Sequence, residues 1–297
     1  MKLSIRSTTC LFLLTLSLAA THGTAQIFNP ADLKLISNEF SFTEGPAVNK
    51  KGDIYFTDQP NDKIWIYDTE GQLSVFMDKT GRSNGLYFDK KGNLISCADE
   101  KNELWSIDKN KNVTVLVTDL DGKKLNGPND LWIDNNGGIY ITDPYYQRDY
   151  WTRKKPELEK QNVYYIPAGK KKMIQLVVDD LKQPNGIVGT PDGKYLYVAD
   201  IGDRKTYRYT IASEGKLTNR KLMFENGSDG MTLDNQGNIY ITGNGVTVYN
   251  PEGIQIAHIP INGWTANVCF GGKNRSDLFI TSTKSVYTIP TTVKGVN

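Results

Sequence analysis

Six oxygen-bearing side chains recur along the chain: Glu44, Asn84, Asn129, Asn185, Asp229 and Asn267, separated by 40, 45, 56, 44 and 38 positions. Two are carboxylates and four are amides. Brought to one point, such a set suits a hard divalent cation, Ca²⁺ first, with Zn²⁺, Mn²⁺ or Mg²⁺ as other ions. Two carboxylates balance the divalent charge, and amide carbonyls complete a shell without adding repulsion. Histidine chemistry has little to draw on, because the chain holds only His22 and His258. His22 falls in the leader described below. His258, in IQIAHIP, lies far from any of the six and is expected to be a surface or packing residue. A Ser-His-Asp triad, a Cys-His dyad and a His-ligated zinc site are disfavoured together. Metal plus carboxylate is what remains.

The elements that must position these residues are repeats. Each of the six opens one pattern: an apolar stretch, a D/N-x-x-G-type turn, a second apolar strand and often an Asp. It reads EGPAVNKKGDIYFTD from Glu44, NGLYFDKKGNLISCAD from Asn84 and NDLWIDNNGGIYITD from Asn129. It returns as NGIVGTPDGKYLYVAD from Asn185, DGMTLDNQGNIYITG from Asp229 and a degenerate NVCFGGKNRSDLFIT from Asn267. In the first five copies a turn glycine follows eight residues after the leading one: Gly52, Gly92, Gly137, Gly193 and Gly237. KIWIYD and ELWSID read as third strands, QLSVFMD and VTVLVTD as fourth strands. Four short strands at this period predict a propeller blade, and the helical periodicity of other repeats of similar length is absent.

The expected fold is therefore all-β, a six-bladed β-propeller with four-stranded blades. The sixth unit supplies only three strands, and LKLISNEF near residues 33–40 is expected to close it, tying the chain's ends together. First strands line a propeller's channel, so the six leading residues are expected near one mouth of it. Asn-Gly and Asp-Gly are also frequent tight-turn dipeptides, which offers a second reading of Asn84, Asn185 and Asp229. That reading leaves Glu44 and Asn129 unexplained. Asp58, Asp99, Asp143 and Asp200, at second-strand ends, are expected to be structural caps. An insertion at 145–161 is expected to be a lid-like loop with at most a short helix, with Trp151 in the lid or anchoring the loop.

Residues 1–25 read as a signal peptide: Lys2 and Arg6 precede an apolar run from Cys10 to Ala20, and Gly23 and Ala25 sit at −3 and −1 before Gln26. The protein is expected to be exported, periplasmic or secreted, with 26–297 forming a single propeller domain and no membrane attachment after signal removal. Losing Lys2 and Arg6 leaves 33 basic residues against 33 acidic ones, a balance that argues against nucleic-acid binding. The basic cluster of Arg153, Lys154 and Lys155, with 170–172 beyond it, is expected to be solvated loop surface. Cys97 and Cys269, each in an apolar strand-like run, are expected to be buried free thiols. Composition leaves the oligomeric state open.

In order and spacing, EGPAV at Glu44, LNGPNDLWID with YITDPYY, QPNGIVGTPDGKYLYVAD, and SDGMTLDNQGNIYIT followed by NVCFGG resemble the regucalcin/gluconolactonase propellers. These are also called the senescence-marker and luciferin-regenerating family, and the likeness runs from about Phe42 to Ile289. It implies a Ca²⁺-dependent hydrolase of sugar lactones. By motif, Glu44, Asn185 and Asp229 match the family's metal ligands, and Asn129 matches a residue that contacts metal or substrate. Asp229 also matches the acid/base. Asn84, Asn267, Tyr145 and Tyr146 are expected to shape the substrate pocket. Gly127 stands where some members have Arg, so substrate recognition is expected to differ from theirs. Two other readings stay open: the same metal apparatus acting on phosphotriesters or other esters, and a non-catalytic propeller that Ca²⁺ stabilises for partner binding.

Overall fold

The computed structural model describes residues 26–170 and 173–296; the expected signal peptide at 1–25 lies outside the described residues. Why the chain folds into short strands is visible at its turns. Asn49, Asp89, Asp134 and Asp234 each accept, through Oδ1, backbone N–H groups two and four residues ahead. These Asx turns end in the repeat glycines, and Gly52 and Gly92, at φ of +105° and +87°, occupy backbone that favours glycine. Each turn joins the first two strands of a unit into an antiparallel hairpin.

Four sheets have four antiparallel strands each, paired in chain order. The first runs Thr43–Val48, Ile54–Asp58, Lys63–Tyr67, Leu73–Asp78. The second runs Ser83–Phe88, Leu94–Ala98, Glu103–Ile107, Val113–Val117. The third runs Leu131–Ile133, Ile139–Asp143, Asn162–Ile166, Gln175–Val178. The fourth runs Pro184–Gly189, Tyr195–Asp200, Lys205–Ile211, Leu217–Phe224. A six-stranded sheet follows, because Ile239–Tyr249 and Gln255–Gly271 each run on through what the repeat divides into two strands. It continues to Asp277–Ser282 and Ser285–Pro290, and Lys34–Ser37 from the other end of the chain pairs antiparallel with the latter. Only three short 3₁₀ turns interrupt the β structure among the described residues.

Burial falls from first to last strand. Thr43–Val48 and Pro184–Gly189 are almost wholly buried, whereas Leu73–Asp78 is largely exposed. Apolar clusters join neighbours in chain order: Ala47 and Ile64 with Leu86 and Leu94, then Ile95 and Cys97 with Leu131 and Ile141. Val163 and Tyr165 pack with Val188 and Leu196, and Ile54 and Phe56 with Cys269 and Phe279 of the last sheet. Face-to-face packing of successive sheets, with the last against the first, is propeller-like. Cys97 and Cys269 are free and buried, as the sequence suggests.

The second-strand aspartates behave as caps, with one departure. Asp58 accepts the N–H groups of Ser41 and Phe42, Asp143 those of Asn126 and Gly127, and Asp200 those of Lys182 and Gln183. Each ties down the loop that enters its own sheet. Asp99 instead accepts side chains: Gln59 Nε2 at 3.2 Å, Arg148 Nε at 3.0 Å and the Tyr150 hydroxyl, while its carbonyl accepts Trp151 Nε1 at 2.8 Å. Asp99 thus latches the 145–161 insertion, which is irregular and contains no helix. Arg153 differs from the solvated surface expected of it. It donates to the carbonyls of Leu125 and Asn126 and lies over the Trp151 ring, anchoring the loop, while Lys154 and Lys155 are exposed. His258 is exposed at the surface, where its ring bonds Thr247.

Candidate functional site

The six leading residues are all buried, none more than 8% exposed. Glu44, Asn84 and Asn185 stand inside first strands, Asn267 inside Gln255–Gly271, and Asn129 and Asp229 two residues ahead of theirs. Strand pairing slips between Glu44 and Ala47, Ser83 and Leu86, Pro184 and Ile187, and Thr265 and Asn267. A bulge of this kind bends the strand and re-aims the side chain beside it. The glycines after the leading residues are explained by close approach rather than by turns. A Cβ at Gly45 would lie 2.1 Å from the Asn84 carbonyl oxygen, one at Gly85 2.4 Å from that of Asn129, and one at Gly230 2.0 Å from the Asn267 side chain.

Contacts run through the set. Asn267 Nδ2 reaches Glu44 Oε2 at 3.3 Å and Asp130 Oδ2 at 3.5 Å, while its own Oδ1 accepts the Val268 N–H. Asn185 Nδ2 donates to Asp229 Oδ1 at 2.7 Å and lies 3.0 Å from the Tyr146 hydroxyl. Asp229 Oδ2 accepts Trp264 Nε1 at 2.5 Å. The Asn129 backbone carbonyl accepts the Gly85 N–H at 2.7 Å, which brings its strand beside that of Asn84. Tyr145 turns the other way: its hydroxyl donates to Gln147 and its ring lies by Trp151 and Arg153. Tyr146, but not Tyr145, is brought to the site by these contacts. Neighbours in an extended segment face opposite sides.

Electrostatics mark the same spot. Burial, then the Asp229 charge, pushes the Glu44 carboxyl well above its ordinary range, although the Gly45 N–H and Asn267 oppose the shift. Burial raises Asp229 to about 6 against hydrogen bonds from Trp264 and Asn185 and the positive charge of Arg148. Burial raises Asp130 to about 7, with the Asp229 charge adding to the shift. Three carboxylates share a buried space in which ionisation is costly.

Among the described residues, no group of three or more His, Cys, Asp or Glu is arranged to hold a metal ion. The donor set here is carboxylate plus amide, and it fits a hard cation on a separate observation. Asn84 Oδ1 and Asn185 Oδ1 are buried with no hydrogen-bond partner. A buried acceptor left unpaired costs about 1–3 kcal/mol, and at Asn185, whose Nδ2 bonds Asp229, a cation is the partner that the amide oxygen and the carboxylate have in common.

Three residues escape the sequence reading. Asp130 had a signal: it stands where Gly45, Gly85, Gly186 and Gly230 follow four of the other five leading residues. Arg148 and Trp264 had none, because a loop and the flank of a long strand bring them in.

The family model for the SMP-30/Gluconolactonase/LRE-like region matches residues 42–284. A gluconolactonase of Zymomonas mobilis is 26% identical, the alignment covering 89% of this chain and 82% of that protein. The solved structure of a gluconolactonase from Xanthomonas campestris is 27% identical with a TM-score of 0.81, covering 87% of this chain and 89% of that one. A calcium-binding regucalcin from Agrobacterium tumefaciens, 19% identical, shares the fold with a TM-score of 0.73 over 88% of this chain and 94% of that one.

Proposed function

The chain belongs to the SMP-30/gluconolactonase/LRE-like family, and from that premise we propose that it is a Ca²⁺-dependent hydrolase opening sugar lactones. The observation that carries the reading is the unpartnered Asn185 amide oxygen, on the side chain whose Nδ2 bonds the buried Asp229 carboxylate. Glu44, Asn129, Asn185 and Asp229 would hold the cation. When bound, the ion supplies Lewis-acid polarisation of the lactone carbonyl. Asp229 takes a proton from the attacking water as the water oxygen bonds the acyl carbon. It then returns the proton to the ring oxygen as the acyl C–O bond breaks, releasing the hydroxy acid. Burial raises the Asp229 carboxyl in the metal-free protein, a bound cation would lower it again, and the base role therefore requires Asp229 to keep one oxygen for the water. Asn129 orients substrate, while Asn84, Asn267 and Tyr146 shape the pocket.

We read the six-stranded sheet as two blades sharing the continuous strands Ile239–Tyr249 and Gln255–Gly271. With the four-stranded sheets this makes a single six-bladed propeller over 26–297, whose last blade is completed by Lys34–Ser37. Export through the signal at 1–25 belongs to the proposal and predicts a mature N-terminus at Gln26. A panel of lactones and phosphotriesters, assayed with Ca²⁺ and after chelation, tests the function. Lactone opening that chelation abolishes and Ca²⁺ restores is expected. Faster phosphotriester turnover would favour the second hydrolase reading, and Ca²⁺-dependent stability without any turnover would favour a binding module.

A further inference from the structure

Trp264 stands in Gln255–Gly271, three residues ahead of Asn267. Its main chain is held firmly: its carbonyl accepts Ser282 Oγ at 2.9 Å, and it pairs with Asn244 across the ladder. The register slips on either side, between Asn244 and Val246 and between Thr265 and Asn267, and such irregularities redirect side chains. The residue is 45% exposed, while Trp65, Trp105, Trp132 and Trp151 are buried or half-buried. Yet Trp264 Nε1 donates to Oδ2 of the buried Asp229. One residue thereby connects solvent to a buried carboxylate of the site. The two oxygens of Asp229 become distinct: Oδ1 faces the Asn185 amide, and Oδ2 faces the indole at the mouth.

We propose that Trp264 is the positioning residue for Asp229 and that its exposed face is the wall on which a sugar lactone's C–H face lies. The proposal rests on the lactonase reading above. Rotation about a carboxylate's terminal torsion is soft, so an unrestrained Asp229 would present its oxygens in many orientations. The indole N–H occupies one lone pair of Oδ2 and leaves the other directed at a fixed angle towards the incoming water. An aromatic face supplies apolar contact at little conformational cost, while the polar edge keeps its hydrogen bond.

Two substitutions separate the edge from the face. Trp264→Phe keeps a ring and removes the N–H; with D-glucono-δ-lactone it is expected to lower kcat by roughly 10- to 100-fold, the worth of one charge-assisted hydrogen bond, and to leave KM within about twofold. Trp264→Leu also removes the aromatic face and is expected to raise KM in addition. Iodide quenching of tryptophan fluorescence is the second readout. Saturation with D-gluconolactam, which keeps the ring shape but resists opening, is expected to protect the wild-type protein from quenching, with no such protection in Trp264→Phe. Wild-type kcat in Trp264→Phe overturns the positioning role, and iodide quenching unaltered by the lactam overturns the wall. A wild-type protein that opens no lactone refutes the lactonase reading instead, and iodide protection then decides the wall by itself.

Discussion

Replacing Asp229 by Asn separates chemistry from folding, and the structure sets the size of each effect. The carboxylate sits at about 6 rather than 3.8, so its ionised form is disfavoured in the folded protein by about 3 kcal/mol at pH 8. Asparagine removes that cost. It also replaces one acceptor oxygen by an amide NH₂, so either Trp264 Nε1 or Asn185 Nδ2 meets a donor, at about 1–3 kcal/mol. The two terms offset to within about 2 kcal/mol, so the melting temperature of chelator-treated protein should move by only a few degrees. One oxygen remains for a cation, so calorimetry should still detect Ca²⁺ binding, weakened by the lost charge. Proton transfer has no such reserve. Lactone turnover followed by pH-stat should fall by about 10²–10⁴-fold, the usual worth of a general acid/base. Unchanged turnover would remove Asp229 from the acid/base role. A loss of stability well beyond the offset would show that the balance of burial against hydrogen bonding is wrong.

The buried acids predict an unusual pH dependence for the metal-free protein. Burial raises Asp130 and Asp143 to about 7 and Asp229 to about 6, so the folded state binds more protons than the unfolded state between pH 4 and 7, and stability falls as pH rises. With chelator present, the melting temperature should climb from pH 8 to 5.5; a monotonic fall would refute this. Asp99→Asn should unlatch the insertion, so that trypsin cuts 145–161 at Arg148, Arg153 or a neighbouring lysine faster than in wild type. An unchanged cleavage rate would mean that the Arg148, Tyr150 and Gln59 contacts do not hold the loop. Gly45→Ala combines a φ of +45° with a Cβ 2.1 Å from the Asn84 carbonyl oxygen, and denaturant unfolding should show a loss of about 2–4 kcal/mol.

Much of the architecture is legible in the sequence because its causes are local. The D/N-x-x-G turns are made by a side chain bonding its own next few N–H groups, so spacing alone discloses them. Second-strand aspartates such as Asp58 and Asp200 bond the loops entering their own sheets, within about 20 residues along the chain. The pairing of Lys34–Ser37 with the final strand was foreseeable for another reason: a unit with three strands must find a fourth. Asp99 breaks the pattern, since its partners come from Gln59 and from the insertion.

For the site, the residue types and their period singled out all six leading residues as oxygen donors, the family resemblance picked Glu44, Asn129, Asn185 and Asp229 from among them, and the scarcity of histidine narrowed the chemistry. Tertiary structure decided what each donor faces. Bulges beside the leading residues, glycines that let first strands meet, and burial that raises Glu44 and Asp229 all depend on neighbouring sheets. Tyr146 rather than Tyr145 reaches Asn185, and Trp264 reaches Asp229 across 35 positions. A side chain's identity and spacing are written in the chain itself. Its direction, burial and charge environment are set by strands distant in sequence that packing brings within hydrogen-bonding range.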